Sequence, residues 1–181
     1  MAVQAACRLI GIMRKNKIGS VLFLHALLLL LPACSNKQDT EAVHPPVAIA
    51  SGDECHLCGM LIQNFPGPKG EMYLRGQQQA LKFCSTRELF TYLLQPDTKA
   101  IVKEVYVHDM GKTDWQHPDY SAQAFVDARK AYYVINHPLK GSMGHTLASF
   151  AEREAANKFI KQHGGKLIRF DDITLDMLNQ L

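Results

Sequence analysis

Six consecutive residues, Cys55-His56-Leu57-Cys58-Gly59-Met60, bring together two thiols, an imidazole and a thioether. Soft sulfur donors select Cu(I), while thiolate with imidazole also holds Zn(II). If Cys58 to Met60 is extended, its two-residue spacing puts both sulfurs on one face, with His56 on that face too. Gly59 lets the backbone bend closely around a metal. The thioether is neutral at every pH and binds without losing a proton. A further sulfur, Met143, sits in Lys140-Gly141-Ser142-Met143-Gly144-His145 at the tip of an expected hairpin. Taken alone it reads as a surface or partly buried methionine, unless the fold carries that loop to Cys58 and Met60.

Other chemistries compete for the same residues. The c-type haem pattern needs His directly after the second Cys, and Gly59 stands there. A thioredoxin-like pair opens a helix after a strand, which Leu61-Ile62-Gln63-Asn64-Phe65-Pro66 does not support. A structural zinc site needs two more ligands, and Cys84 with a histidine supplies them. A Cys55–Cys58 disulfide is the plainest alternative in an oxidising compartment. Cys84 itself follows Phe83 at a strand end and reads as buried. No nucleophile is paired with a base and an orienting acid, so the pattern is that of a binding protein rather than an enzyme. His108, His117 and His137 read as surface or structural residues.

The elements that must position these donors follow an order that occurs twice. Glu71 to Arg75 and Ala80 to Cys84 suit a hairpin across Gly76-Gln77-Gln78. Ser85-Thr86-Arg87-Glu88 then fits a capping box opening a helix. Leu89, Phe90, Leu93 and Leu94 give that helix an apolar face, Pro96 helps to stop it, and Ile101 to His108 forms a strand. In the second stretch Ala131 to Asn136 and Thr146 to Phe150 are the hairpin, Ala151 to His163 the helix, and Lys166 to Phe170 the closing strand. Gly164-Gly165 is the stop between the last two. The expectation is an α+β fold of two ββαβ units, residues 51–110 and 131–181, arising by internal duplication. A mostly irregular connection spans residues 111–130.

The N-terminus reads as an address. Arg14, Lys15 and Lys17 precede an apolar run from Ile18 to Leu31 that is short for a membrane span of ~20 residues. It ends in Leu31-Pro32-Ala33-Cys34, which resembles a bacterial lipobox. Cleavage then leaves Cys34 as the lipid-bearing first residue of the mature chain, after a signal of residues 1–33 whose true start is as well placed at Met13. Ser35 and Asn36, with no Asp at the second mature position, favour the outer membrane, facing the periplasm. Residues 34–50 read as a semi-extended tether. The charge belongs largely to the signal: Arg8, Arg14, Lys15 and Lys17 are four of the 20 basic residues, so 16 basic face 17 acidic residues from Cys34 onward. A formal net charge of +3 already argues against nucleic acid as a partner.

Several ordered landmarks resemble the NosL family of copper-chaperone lipoproteins that serve nitrous oxide reductase. They are Cys58-Gly59-Met60, Phe65-Pro66-Gly67-Pro68-Lys69, Val105 to Gly111 followed by Trp115, Gly141 to Gly144 with Met143, and Glu154-Ala155-Ala156 leading to His163-Gly164-Gly165. The resemblance covers the lipobox and essentially the whole body. It implies two ββαβ units, Cu(I) held first by Cys58, Met60 and Met143, and His56 and His145 as additional or second-metal ligands, Zn(II) included. Cys55 departs from members with a single cysteine here and leaves open a free thiolate or a disulfide. The implied partners are a membrane-bound ABC-type maturation complex and the reductase. A thiol-disulfide oxidoreductase using Cys55 and Cys58, and a zinc-stabilised interaction lipoprotein, are the alternatives.

Overall fold

The computed structural model describes residues 43–181. The signal, Cys7 and the lipidation position Cys34 lie outside the described residues. Among the described residues no helix is long and apolar enough to cross a membrane.

The fold is α+β. Strands β1 (Gly70–Leu74) and β2 (Leu81–Phe83) form the first expected hairpin. Helix α1 (Thr86–Leu93) follows at once, because the Ser85 side chain accepts a hydrogen bond from the Glu88 amide and closes its first turn. Pro96 does more than end that helix. Occupying the first turn of α2 (Pro96–Ile101), where a missing N–H costs nothing, it opens a second short helix. Ile101 therefore ends a helix, and strand β3 begins one residue later, at Val102–His108. The region expected to be irregular contributes β4 (Phe125–Asp127), which pairs with β3 and widens the first sheet to the order β2-β1-β3-β4.

The second unit uses β5 (Tyr132–Ile135), β8 (Ala148–Phe150), helix α3 (Arg153–His163) and β9 (Lys166–Arg169), in the sheet order β8-β5-β9. In both units the first strand is central, flanked by its hairpin partner and by the strand that follows the helix, and every pairing is antiparallel. That shared order is consistent with duplication. A small hairpin, β6 (Lys140–Gly141) with β7 (Gly144–His145), is inserted between β5 and β8 and carries Met143 at its tip. Beyond Phe170 the sequence offered no element, yet α4 (Leu175–Asn179) forms there, capped by Thr174.

Alternation along the strands decides what each sheet face covers. From β1 and β3, Met72, Leu74, Val105 and Val107 join Leu89, Phe90 and Leu93 of α1 in the main core. The opposite face, Glu71, Tyr73 and Tyr106, is covered by residues 43–50. Val47 N–H donates to Glu71 (3.0 Å), and the Tyr73 and Tyr106 hydroxyls donate to the carbonyls of Pro45 (3.0 Å) and His44 (2.6 Å). The end of the expected tether is thus strapped to the sheet. Strand β5 is divided the same way, with Tyr133 and Ile135 in the main core and Val134 in a second core with Phe150, Ala156 and Phe159 under α3.

Helix α3 ends on Gly164, whose amide closes onto the Ile160 carbonyl at 2.8 Å, and Gly165 follows at φ +107°. A methyl group at Gly165 would lie 2.6 Å from the Ile135 carbonyl oxygen and 2.7 Å from Val134 Cγ1. Gly165→Ala therefore combines backbone strain with a clash against β5 and is expected to cost about 2 kcal/mol. A lowered urea midpoint at unchanged slope is the result that measures it.

Candidate metal centre

Residues Glu54 to Leu61 close on themselves. Glu54 and Leu61 form an isolated antiparallel bridge, Cys55 N–H donates to the Met60 carbonyl (2.9 Å), and Gly59 N–H donates to the Cys55 carbonyl (2.8 Å). Gly59 has φ +72°, the left-handed conformation that glycine adopts without penalty. The extended reading of Cys58 to Met60 is therefore corrected: the segment satisfies its own backbone as a tight turn. Cys55 points inward and is buried, Cys58 is half-buried, and Met60 packs partly against the core. The exposed His56 leaves the sulfurs and lies edge-on to Phe83 and Tyr92, with ring centroids 5.9 and 4.9 Å away.

A third thiol meets the two in this turn. Cys84 lies between the end of β2 and the cap of α1, fully buried, with its Sγ 3.5 Å from Cys58 Sγ. Four residues on, Glu88 occupies the first turn of α1. Its Oε2 accepts from Cys84 Sγ at 2.5 Å and from Ser85 Oγ at 3.2 Å. One ligand atom from each of Cys55, Cys58, Cys84 and Glu88 falls within 4.8 Å of the others. A trigonal set of thiolates at a metal–sulfur distance of ~2.3 Å has its sulfurs ~4 Å apart. The cluster needs only small side-chain adjustments to reach that arrangement. All three cysteines are free thiols, so the disulfide alternative is not the state described.

The second unit reaches the same place. Ser142 Oγ, beside Met143, donates to Cys84 Sγ (3.0 Å) and lies 3.5 Å from Glu88 Oε2. Two ties hold its loop there. Thr86 of α1 bonds Thr146 Oγ1 (2.8 Å) and the Leu147 carbonyl (2.6 Å). Trp115 Nε1–H donates to the Lys140 carbonyl (3.0 Å), while the Trp115 carbonyl accepts from Gly67 N–H (2.7 Å). Gly67 must be small as well as left-handed: a Cβ there would sit 3.3 Å from the Trp115 ring and 3.4 Å from Gly141 Cα. Met143 is 52% exposed at the rim. His145, also exposed, faces Lys140 across the small hairpin and lies outside the four-donor group.

Crowding sets the protonation of the thiols. A hydrogen bond from Cys84 holds the Cys55 thiol down to about 5. The donor, Cys84, is pushed far above the usual thiol range, first by that bond, then by burial and by Glu88. Burial pushes Cys58 up to about 11. One thiolate is thus available in neutral solution, and the remaining thiol protons must leave when a cation arrives. Behind the cluster Lys69 is fully buried, its ammonium donating to the carbonyls of Phe65 (2.7 Å), Pro66 (2.9 Å) and Cys84 (3.1 Å).

Of the residues singled out from sequence, the fold gathers Cys55 and Cys58 in the donor cluster and brings the loop of Met143 to its edge. It sends His56 and His145 elsewhere. Glu88 escaped notice because its spacing from Ser85 already had an explanation in the capping box. The missed signal is Cys84 and Glu88 four apart across a helix start, where both face the same side.

A family model, NosL, matches residues 46–178. The copper-binding lipoprotein NosL of Stutzerimonas stutzeri is 42% identical over 167 residues, covering 91% of this chain and 85% of that protein. Its namesake from Achromobacter cycloclastes is 32% identical over 152 residues, covering 82% and 77%. The crystal structure of the copper chaperone NosL from Shewanella denitrificans superposes with a TM-score of 0.72 at 48% identity, over 75% of this chain and 99% of that one. With the family model over residues 46–178 and these identities over most of both chains, the chain belongs to the NosL family.

Proposed function

We propose that this protein binds Cu(I) as cargo and delivers it for assembly of the copper sites of nitrous oxide reductase, anchored by lipid on Cys34 to the outer membrane and facing the periplasm. The observation that carries the copper reading is the convergence of three free thiols and a carboxylate within 4.8 Å at the start of α1. The names of the relatives, copper-binding lipoprotein and copper chaperone, support it.

Burial gives the donors different tasks. Cys58, half-buried, is the entry ligand, and the buried Cys55 and Cys84 complete a sulfur-rich set that prefers a soft monovalent ion. Met60 and the exposed Met143 add thioethers at the rim, where a recipient's own ligand can replace them before copper leaves. Stepwise exchange of that kind avoids free copper. The recipient is a membrane-bound ABC-type maturation complex, or the reductase directly. His56 and His145, outside the four-donor group, are left to a second ion such as Zn(II).

A carboxylate beside thiolates also suits zinc, so a zinc-stabilised interaction lipoprotein is the second reading, supported by Glu88. The oxidoreductase alternative has less support, since the Cys55–Cys58 pair sits in a turn rather than at the opening of a helix.

Anaerobic titration against a chromophoric Cu(I) chelator tests the leading reading. The wild type is expected to take up one Cu(I) in preference to Zn(II). Cys58→Ser is expected to lose at least the roughly 10–100-fold that loss of even an outer partner costs a metal site. Met143→Leu is expected to bind more weakly and to show altered copper spectra; unchanged values for both would remove the second unit from the coordination sphere. Retention of zinc through a copper challenge favours the second reading.

Thiol titration gives an independent check. The ultraviolet thiolate absorbance of the metal-free protein is expected to rise in two stages, one thiolate near pH 5 and the others only in alkaline solution. Cys55→Ser removes the first stage. Because the Cys55 pKa is depressed on folding, its contribution to stability is complete above the free-thiol value of ~8.5 and is lost as pH falls through about 5. The unfolding midpoint of Cys55→Ser is therefore expected to vary less across that window.

A further inference from the structure

We propose that Lys69 is the built-in counter-ion of the Cys55–Cys58–Cys84–Glu88 cluster and positions that cluster for an anionic metal complex. The proposal deepens the metal-binding reading and rests on it. An ammonium in the interior is among the costliest groups to bury unless negative charge stands close by. Lys69 has no solvent exposure, and among the described residues no carboxylate lies within ion-pairing distance of it. Its three protons go instead to the carbonyls of Phe65, Pro66 and Cys84. Carbonyls solvate the ammonium but carry no net charge.

The third of those carbonyls belongs to the residue whose thiol lies inside the donor cluster, so the ammonium sits 3.1 Å from the backbone of a cluster residue. Burial lowers the Lys69 pKa to about 8, and the negative charge shared by the proton-coupled Cys84, Glu88 and Cys55 group is what opposes a further fall. On the other side His108 supplies no charge. Its amide bonds the Lys69 carbonyl (3.1 Å), its ring is fully buried, and burial keeps that ring neutral, with a pKa of about 3. The cluster is therefore the near source of compensation for this cation. The reverse follows for the metal complex: thiolates and a carboxylate outweigh a monovalent ion, and the excess negative charge needs a fixed positive neighbour in a site with little water.

The same ammonium has a mechanical role. By gripping the Phe65 and Pro66 carbonyls it fixes the approach to Gly67, which bonds Trp115, which in turn bonds Lys140 at the base of the Met143 loop. Charge and position must be separated by experiment.

Lys69→Gln keeps donors for the carbonyls and removes the charge; Lys69→Arg keeps the charge. With folding checked by near-ultraviolet circular dichroism, Lys69→Gln is expected to lose roughly tenfold or more in Cu(I) affinity, and Lys69→Arg to regain most of it. A folded Lys69→Gln with wild-type affinity overturns the proposal and leaves Lys69 as a backbone pin. A second measurement needs neither a Lys69 variant nor copper. The 15N resonance of the Lys69 ammonium in the metal-free protein is expected to move in Glu88→Gln relative to wild type, and a resonance that stays put overturns the proposal. Failure of the wild type to take up Cu(I) overturns the functional reading instead, so the two are told apart.

Discussion

Three thiols and a carboxylate held within 4.8 Å of one another repel when ionised and are expensive to desolvate, and much of this molecule is arranged around that difficulty. The metal-free protein answers with shared protons. The Cys84 thiol is held protonated, and its one proton lies between Glu88, which accepts it, and Cys55, whose negative charge it stabilises. A soft cation bound there, as proposed, would replace those protons and remove the repulsion at once. The binding energy of such a site thus comes from the relief of crowding as well as from metal–sulfur bonds.

Holding the donors together requires parts of the chain that are far apart in sequence. The turn at Cys55 to Met60 is closed by its own backbone and by His56 N–H on the Lys82 carbonyl (2.8 Å). Cys84 is fixed because β2 pairs with β1 and α1 starts immediately after it. Ser142 arrives from the second unit through the Thr86 ties to Thr146 and Leu147. The donor group with its Ser142 contact thus spans a seam between the two ββαβ units. On the proposed reading, small displacements of one side would change the donor set without unfolding either unit, as release of a cargo requires.

Much of this was legible in sequence, and the exceptions have physical causes. The capping box at Ser85, the helix stop at Gly164 and the hairpin at Gly76 declared the units because each signal is local. The resemblance to the NosL copper chaperones rested on short landmarks, several of which prove to be mechanical: Gly67 touches Trp115, and Trp115 holds the loop of Met143. Local signals failed where one residue type serves two ends. Pro96 stops one helix and opens another, and Glu88 suits a cap as well as a ligand. Cys84 was read as buried, correctly, but burial among other donors has a different meaning from burial among hydrocarbons. Lys69 closes one of those landmarks, but its burial has no signature, since a lysine in sequence reads as solvated until the fold encloses it.

The measurement that bears most directly on the central claim is copper-edge X-ray absorption of the anaerobically loaded protein, compared with the Cys84→Ser variant. A sulfur-dominated Cu(I) shell that loses one sulfur scatterer in the variant is expected. A shell of nitrogen and oxygen, or a sulfur count unchanged by Cys84→Ser, would contradict it.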